Sequence, residues 1–368
     1  MKGKGINVIR FNTEVIKKNE KILRSMIDRD DLYSSNFYLN FEQGTIQFKS
    51  GITKDGQEFH GHLKVGFDVE KEHENFNVDA FTFLHICSTY DNLIIKNSVF
   101  YNGAEKIKLK ILDEISHNEP VSFEEFSWDN SKPISFSSLS YLEKAAKFLG
   151  ERYPAVNIDS LNGKTLVAAS DTGIYYEAGL EDGFNKLQLS DRIVKIFSDS
   201  ANQEIRYNSN ERNFYINLGD SLELITDLPM FSELPFVTPG FRERFTVPAL
   251  VSFEKKPLIT ILKFFKPFFA DVFQKIVQVR FEAGKVILKP LLEDYEVSKS
   301  IVTEVPSSIE GKEFNLSLDY FEMMVSSLED DTIIFSAFED FGENTKDFCI
   351  FSSKENATEK ILCKFIQL

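Results

Sequence analysis

Histidine, cysteine and tryptophan are scarce in this chain, with 5 His, 3 Cys and 1 Trp among 368 residues. Cys87, Cys349 and Cys363 are odd in number and separated, so they make neither a disulfide framework nor a CxxC metal pair, and they read as core thiols in a reducing compartment. No run approaches the roughly 18 uninterrupted apolar residues that cross a bilayer. The opening MKGKGINVIRF also lacks the apolar stretch of a secretion signal. A cytoplasmic protein with no membrane contact is expected. Excess positive charge is missing too: 42 Lys+Arg against 57 Asp+Glu leave a formal charge of −15. That balance excludes a simple nucleic-acid-coating protein, although a local basic surface remains compatible with it.

Motifs that carry chemistry are also absent. The phosphate loop GxxxxGK[ST], the nucleophile elbow GxSxG and the metalloprotease HExxH do not occur, and KGKG at 2–5 lacks both a third glycine and a preceding strand. His60, His62 and His73 form the only histidine cluster, but no cysteine or fourth ligand lies nearby, and alternation puts His60 and His62 on one face of a solvated strand. The carboxylates of 124–126, 291–296 and 329–331 read as solvated faces or turns in so acidic a chain. No catalytic residue, metal or cofactor is expected, and the chain reads as a non-enzyme.

What is present is β-structure. With 42 % hydrophobic and 27 % charged residues the chain can bury large cores, and its length suits two or three domains. Runs such as GTIQFKS, KTLVAAS, RNFYINL, VQVRFEAGKVILKPL and KDFCIFSS alternate, are rich in Val, Ile, Phe and Tyr, and end at Asn, Gly, Asp or Ser. Three segments have helical spacing instead: 13–28, 138–149 (capped by Ser137 or Ser138, burying Leu139, Leu142, Ala146 and Leu149) and 254–269, about one third of the chain apart. The first places Val15, Ile16, Leu23, Met26 and Ile27 on an apolar stripe. Shorter helices at 78–87, 189–197 and 316–324 each follow a strand and precede a hairpin, with Asp79, Asp191 and Asp319 as markers. Three similar units follow, taken as 1–122, 123–244 and 245–368.

Cations gather on the helices. Lys17, Lys18, Lys21 and Arg24 outnumber Glu14 and Glu20 on the first, and Lys144, Lys147, Arg192, Lys195, Lys255, Lys256 and Lys263 lie on the others. A basic helical surface on an otherwise acidic protein suits sequence-independent contact with duplex phosphates, while a solvated polar face is the plain alternative.

The repeat order, VDAFTFLHIC (78–87), TLVAASDTGIYYEAGL (165–180), FNLSLDYFEMMVSSLEDDTIIF (314–335) and the terminal ILCKFIQL resemble the bacterial sliding clamp, the beta subunit of DNA polymerase III, over essentially the whole chain. The resemblance implies an α+β clamp fold of three tandem domains, two chains closing head to tail into a ring around double-stranded DNA. It also implies a hydrophobic pocket that receives short peptides of the DNA polymerase and the clamp loader. Carried over, the pocket takes Ala155, Ser170, Thr172, Gly173, Ile174, Tyr175, Pro229, Phe236, Leu362, Lys364, Phe365, Ile366 and Leu368, and the homodimer interface takes Phe268 and Phe269. The turn SDTGIYY departs from the family's Gly-His-Arg pattern by placing Gly173 and Ile174 there, and Lys364-Phe365 replaces a Met-Pro step. These departures imply an altered peptide preference. The reading set against the clamp is a non-catalytic β-rich structural or interaction protein of a phage or mobile element.

Overall fold

The computed structural model describes the chain except for residues 1–7, 32–33, 52–56, 71–73, 97, 110, 113–127, 129–130, 152, 159–164, 171–172, 181–186, 211–212, 228–245, 271, 294, 342–347, 357 and 367–368. Alternating apolar runs dominate it, and they form four sheets of antiparallel pairs. Helices α1 (Glu14–Met26), α2 (Ala80–Thr89), α3 (Phe136–Ala146), α4 (Asp191–Asp199), α5 (Lys255–Phe265) and α6 (Leu318–Ser327) accompany them, α5 continuing as a 3-10 turn over Lys266–Phe269, and a further 3-10 turn spans Ser307–Ile309. Two compact units result: Met1–Leu139 with Arg192–Met230, and Ser140–Asp191 with Phe231–Leu368. The middle third of the sequence is thus shared between them.

In the first unit a nine-stranded sheet is spliced from two distant parts of the chain, because Phe59–Lys64 pairs with Leu222–Asp227 in register Leu63↔Leu222 to Phe59↔Thr226. A five-stranded sheet centred on Val8–Asn12 and Asn92–Lys96 accompanies it. Phe83 of α2 ties the layers together, its ring 6.3 Å from Phe11, 6.1 Å from Phe37 and 6.1 Å from Phe100. In the second unit an eight-stranded sheet is spliced in the same manner, Ile174–Gly179 pairing with Lys360–Lys364 from Ile174↔Cys363 to Glu177↔Lys360. Its four-stranded companion contributes Phe281 and Phe314 to a cluster of rings with Phe335, Phe341 and Phe365.

Local chemistry explains the helix starts and corrects several expectations. Asp79 accepts from the Thr82 amide at 2.7 Å and is a true N-cap. Asp191 and Asp319 instead lie inside the first turns of α4 and α6, where a carboxylate faces the positive end of the helix dipole. α3 starts earlier than its serines suggest: the hydroxyl of Ser135, not Ser137 or Ser138, accepts from the Ser138 amide at 3.2 Å. The buried face of α3 and the turn after it is Leu139, Leu142, Ala145 and Phe148, so Ala146 and Leu149 are only half-buried. On α1 the buried face is Ile16, Asn19, Ile22, Leu23 and Met26. Asn19 is tolerated there because its amide donates to the Val15 carbonyl at 2.9 Å and accepts from Gln203 at 3.2 Å.

The glycine between His60 and His62 has a packing reason. Gly61 faces Phe48 across the strand pair, and a Cβ at Gly61 would lie 2.1 Å from the Phe48 ring. The aromatic ring covers the bare glycine, so overpacking is the expected cost of any larger residue. Gly61→Ala is expected to lose about 1–3 kcal/mol of stability in urea unfolding. The double variant with Phe48→Leu should lose less than the sum of the single changes, the sign of a steric coupling.

Candidate nucleic-acid interface and peptide groove

The cations singled out by sequence separate into two groups. Lys17 is held by Asp91 at 2.6 Å, Lys21 by Asp199 at 2.6 Å, and Arg24 by Glu20 one turn earlier at 2.7 Å. Arg192 is a packing residue: it donates to the carbonyls of Gly51 at 3.0 Å and Ser25 at 3.3 Å, and its guanidinium lies 5.1 Å from the Phe59 ring. Lys255 donates to the Leu328 carbonyl, and burial holds its ammonium below the usual range. Lys18, Lys147, Lys195, Lys256 and Lys263 are exposed and have no carboxylate within 4 Å among the described residues. These five are the cations of the set best placed to meet phosphate.

Lys144 is the clearest correction. Its side chain is 12 % exposed, and its ammonium sits 2.8 Å from Glu359 and 2.9 Å from Glu329. Glu359 is wholly buried and accepts in addition from Tyr176 Oη at 3.0 Å, Ser353 Oγ at 3.0 Å and the Glu329 amide at 3.1 Å. A buried carboxylate with four donors is satisfied, and burial, with the nearby Glu359 charge, pushes the pKa of the Tyr176 hydroxyl far up. Lys144 therefore belongs to the core of its unit and is withdrawn from the phosphate-facing set.

The pocket residues also divide. Gly173 sits at φ +81°, in the left-handed region, where the turn closes through Ser170 N to Ile174 O at 2.9 Å and Ile174 N to Ser170 Oγ at 3.2 Å. The strand after that turn sends Ile174 and Tyr175 to opposite faces of the sheet. On one side Ile174, Cys363, Lys364 and Ile366 line a cavity of about 360 Å³ with Phe273, Lys275, Leu316, Asp319 and Tyr320. On the other, Tyr175 packs with Leu362, Phe348, Ile350, Val247 and Phe338. Phe273 is 99 % exposed, and sequence reasoning missed it along with Tyr320; an aromatic beside a polar Gln-Lys step was the available signal. Ala155 is buried at the start of its strand opposite Ser190. Phe365 is corrected: it is buried with its ring stacked 4.6 Å from Phe314, inside the core and not on the groove. Thr172, Pro229, Phe236 and Leu368 lie outside the described residues.

Phe269, expected at a chain-to-chain contact, is wholly buried within its own unit. Phe268 is half-buried, its ring 5.5 Å from Phe264 and 5.7 Å from Tyr295. The rings presented to solvent are Phe264, with Lys299 Nζ 4.5 Å from its centroid, and Tyr295. The strand Lys299–Val302 beside them is a sheet edge whose Lys299, Ser300 and Val302 are exposed.

His60 donates to Glu58 at 2.9 Å, and no group of three metal-ligating side chains occurs among the described residues, which exclude His73. Burial lowers the pKa of both His60 and His62, the latter to about 4.

No protein-family model and no curated protein matches the chain. Solved structures do. The Caulobacter crescentus pol III beta structure is similar over 98 % of this chain and 100 % of its own, with a TM-score of 0.76 at 12 % identity. A Pseudomonas aeruginosa sliding clamp (DNA polymerase III subunit beta), bound to griselimycin, is similar over 99 % and 100 %, with a TM-score of 0.77 at 13 % identity. A Helicobacter pylori beta clamp bound to a DNA ligase peptide is similar over 98 % and 100 %, with a TM-score of 0.72 at 13 % identity. The chain has the α+β fold of the bacterial DNA polymerase III beta sliding clamps.

Two outcomes follow from the buried groups. Lys144→Gln leaves Glu359 as an uncompensated buried charge and is expected to cost about 3–5 kcal/mol in denaturant unfolding, whereas Lys147→Gln should stay within about 0.5 kcal/mol. The unfolded chain binds protons at His62 from pH ~6.5 downward, and the folded chain does so only near 4. Stability should therefore fall as pH drops through that window, and His62→Gln should remove about 1–3 kcal/mol of the fall in unfolding measured from pH 7 to 4.

Proposed function

We propose that this chain is a DNA polymerase processivity clamp, a non-enzymatic ring that encircles duplex DNA and tethers its partners. The observation that carries the reading is the end-to-end likeness to sliding clamps, which covers 98–99 % of this chain and 100 % of theirs at 12–13 % identity. A likeness that survives such divergence across the full length suits three tandem domains, 1–122, 123–244 and 245–368. Encirclement explains why no residue constellation suggests catalysis: a ring that slides needs weak contacts to phosphate and none to base edges.

In this reading Lys18, Lys147, Lys195, Lys256 and Lys263 supply the phosphate contacts. Two chains join head to tail, the edge strand Lys299–Val302 of one meeting the edge strand Glu105–Ile107 of the other, with Phe264, Phe268 and Tyr295 packed beside the seam. Both are terminal strands of their sheets among the described residues, and an edge strand offers its backbone groups to another chain. Heterologous contacts of this kind close into a ring when the rotation fits. The cavity lined by Ile174, Phe273, Tyr320 and Cys363 receives an extended peptide of the DNA polymerase or the clamp loader, whose apolar side chains anchor in it. The ligase peptide on the Helicobacter pylori clamp supports that mode of partner binding.

Retention on a nicked circular plasmid, compared with the same plasmid linearised, tests the reading. The protein loaded by its clamp loader should stay on the circle through gel filtration and run off free ends. Equal retention on both, with a protein that remains monomeric in light scattering, would sink it. Replacing Lys18, Lys195, Lys256 and Lys263 by Gln should reduce the salt slope of duplex binding by about one unit per lost phosphate contact.

A further inference from the structure

Cys349 and Cys363 occupy directly paired positions on neighbouring antiparallel strands, Phe348–Ser353 and Lys360–Lys364. Such partners project to the same face of a sheet, with Cα atoms about 4.5 or 5.5 Å apart according to the type of pair. Both separations lie within the range that a disulfide spans. The two thiols are reduced and buried. Cys363 differs from Cys349 in bordering the cavity of about 360 Å³, beside Ile174 and Ile366, and its thiol donates to the Lys364 carbonyl at 3.4 Å. Cys87 lies in the other compact unit, far from this pair in sequence.

We propose that Cys349 and Cys363 are a redox pair, a modification site for hydroperoxides entering through the cavity. The sulfur of Cys363, as thiolate, attacks the distal peroxide oxygen. The O–O bond breaks, the leaving alkoxide or hydroxide takes a proton, and Cys363 becomes a sulfenic acid. The Cys349 sulfur then attacks that sulfur, the S–O bond breaks, and water departs as the S–S bond forms. The sum is one hydroperoxide and two thiols giving one disulfide, one alcohol or water from the peroxide, and one water. Two electrons pass from sulfur to oxygen.

Burial pushes the Cys363 thiol up to about 12 and Cys349 well above its ordinary value, so the reactive thiolate is scarce and the reaction is slow. The pairing geometry then decides the product, because the sulfenic acid forms next to the Cys349 thiol. The crosslink draws the Cys363 sulfur from the cavity wall toward Cys349 and ties the strand Lys360–Lys364 to Phe348–Ser353, whatever the cavity holds.

The test is made on the full chain treated with hydrogen peroxide, alkylated under denaturing conditions and digested without reductant. Mass mapping should find the peptides of Cys349 and Cys363 linked and about 2 Da lighter than the two thiol peptides together, while Cys87 is alkylated. In Cys349→Ser, Cys363 should stop at the sulfenic acid and be captured by dimedone. A native chain that keeps three alkylatable thiols, or that adds oxygen to Cys363 without the link, overturns the proposal. The native map decides alone should the variant fail to fold.

Discussion

Backbone hydrogen bonding across two splices holds the middle of this sequence to its ends. Phe59–Lys64 bonds to Leu222–Asp227 in one unit, and Ile174–Gly179 bonds to Lys360–Lys364 in the other, so each large sheet is continuous through residues more than a hundred positions apart. Breaking either splice would expose a row of unpaired N–H and C=O groups on two strands at once. The core rings, the helix faces and the cavity beside Ile174 all take their positions from these sheets.

The second splice is reinforced by charge. Glu359 stands immediately before the strand Lys360–Lys364 and Tyr176 lies on the opposing strand, and the carboxylate gathers Tyr176, Lys144, Ser353 and the Glu329 amide at one buried point. Such a cluster contributes little net stability over an apolar core, since desolvation offsets most of the attraction. The cluster bonds across the strand pair in the register that the buried faces of the sheet specify. The cavity rim made by Ile174, Cys363 and Lys364 inherits that register.

Electrostatics on the helices follows from an acidic chain. Most cations find carboxylates or carbonyls at once: Lys17, Lys21, Arg24, Lys144, Arg192 and Lys255 are all engaged. Of the helix cations considered, Lys18, Lys147, Lys195, Lys256 and Lys263 stay exposed, and any attraction of such exposed charges for a polyanion is screened by salt. Weak, non-directional contact is compatible with movement along a duplex, in keeping with the proposed role.

By itself the sequence determined the β-rich class and the six helical segments near 13–28, 78–87, 138–149, 189–197, 254–269 and 316–324. Those properties are written in alternation, spacing and residue type, all local. Tertiary structure decided which cations remain available, because pairing of Lys144 with Glu359 joins residues 215 positions apart. It also decided that Phe269 and Phe365 are core while Phe264 and Phe273 face solvent. Neighbouring phenylalanines on one helix or strand look alike in composition, and only the layer packed against each face tells them apart. The same holds for Cys349 and Cys363, whose pairing depends on a strand register that no local pattern in the sequence encodes.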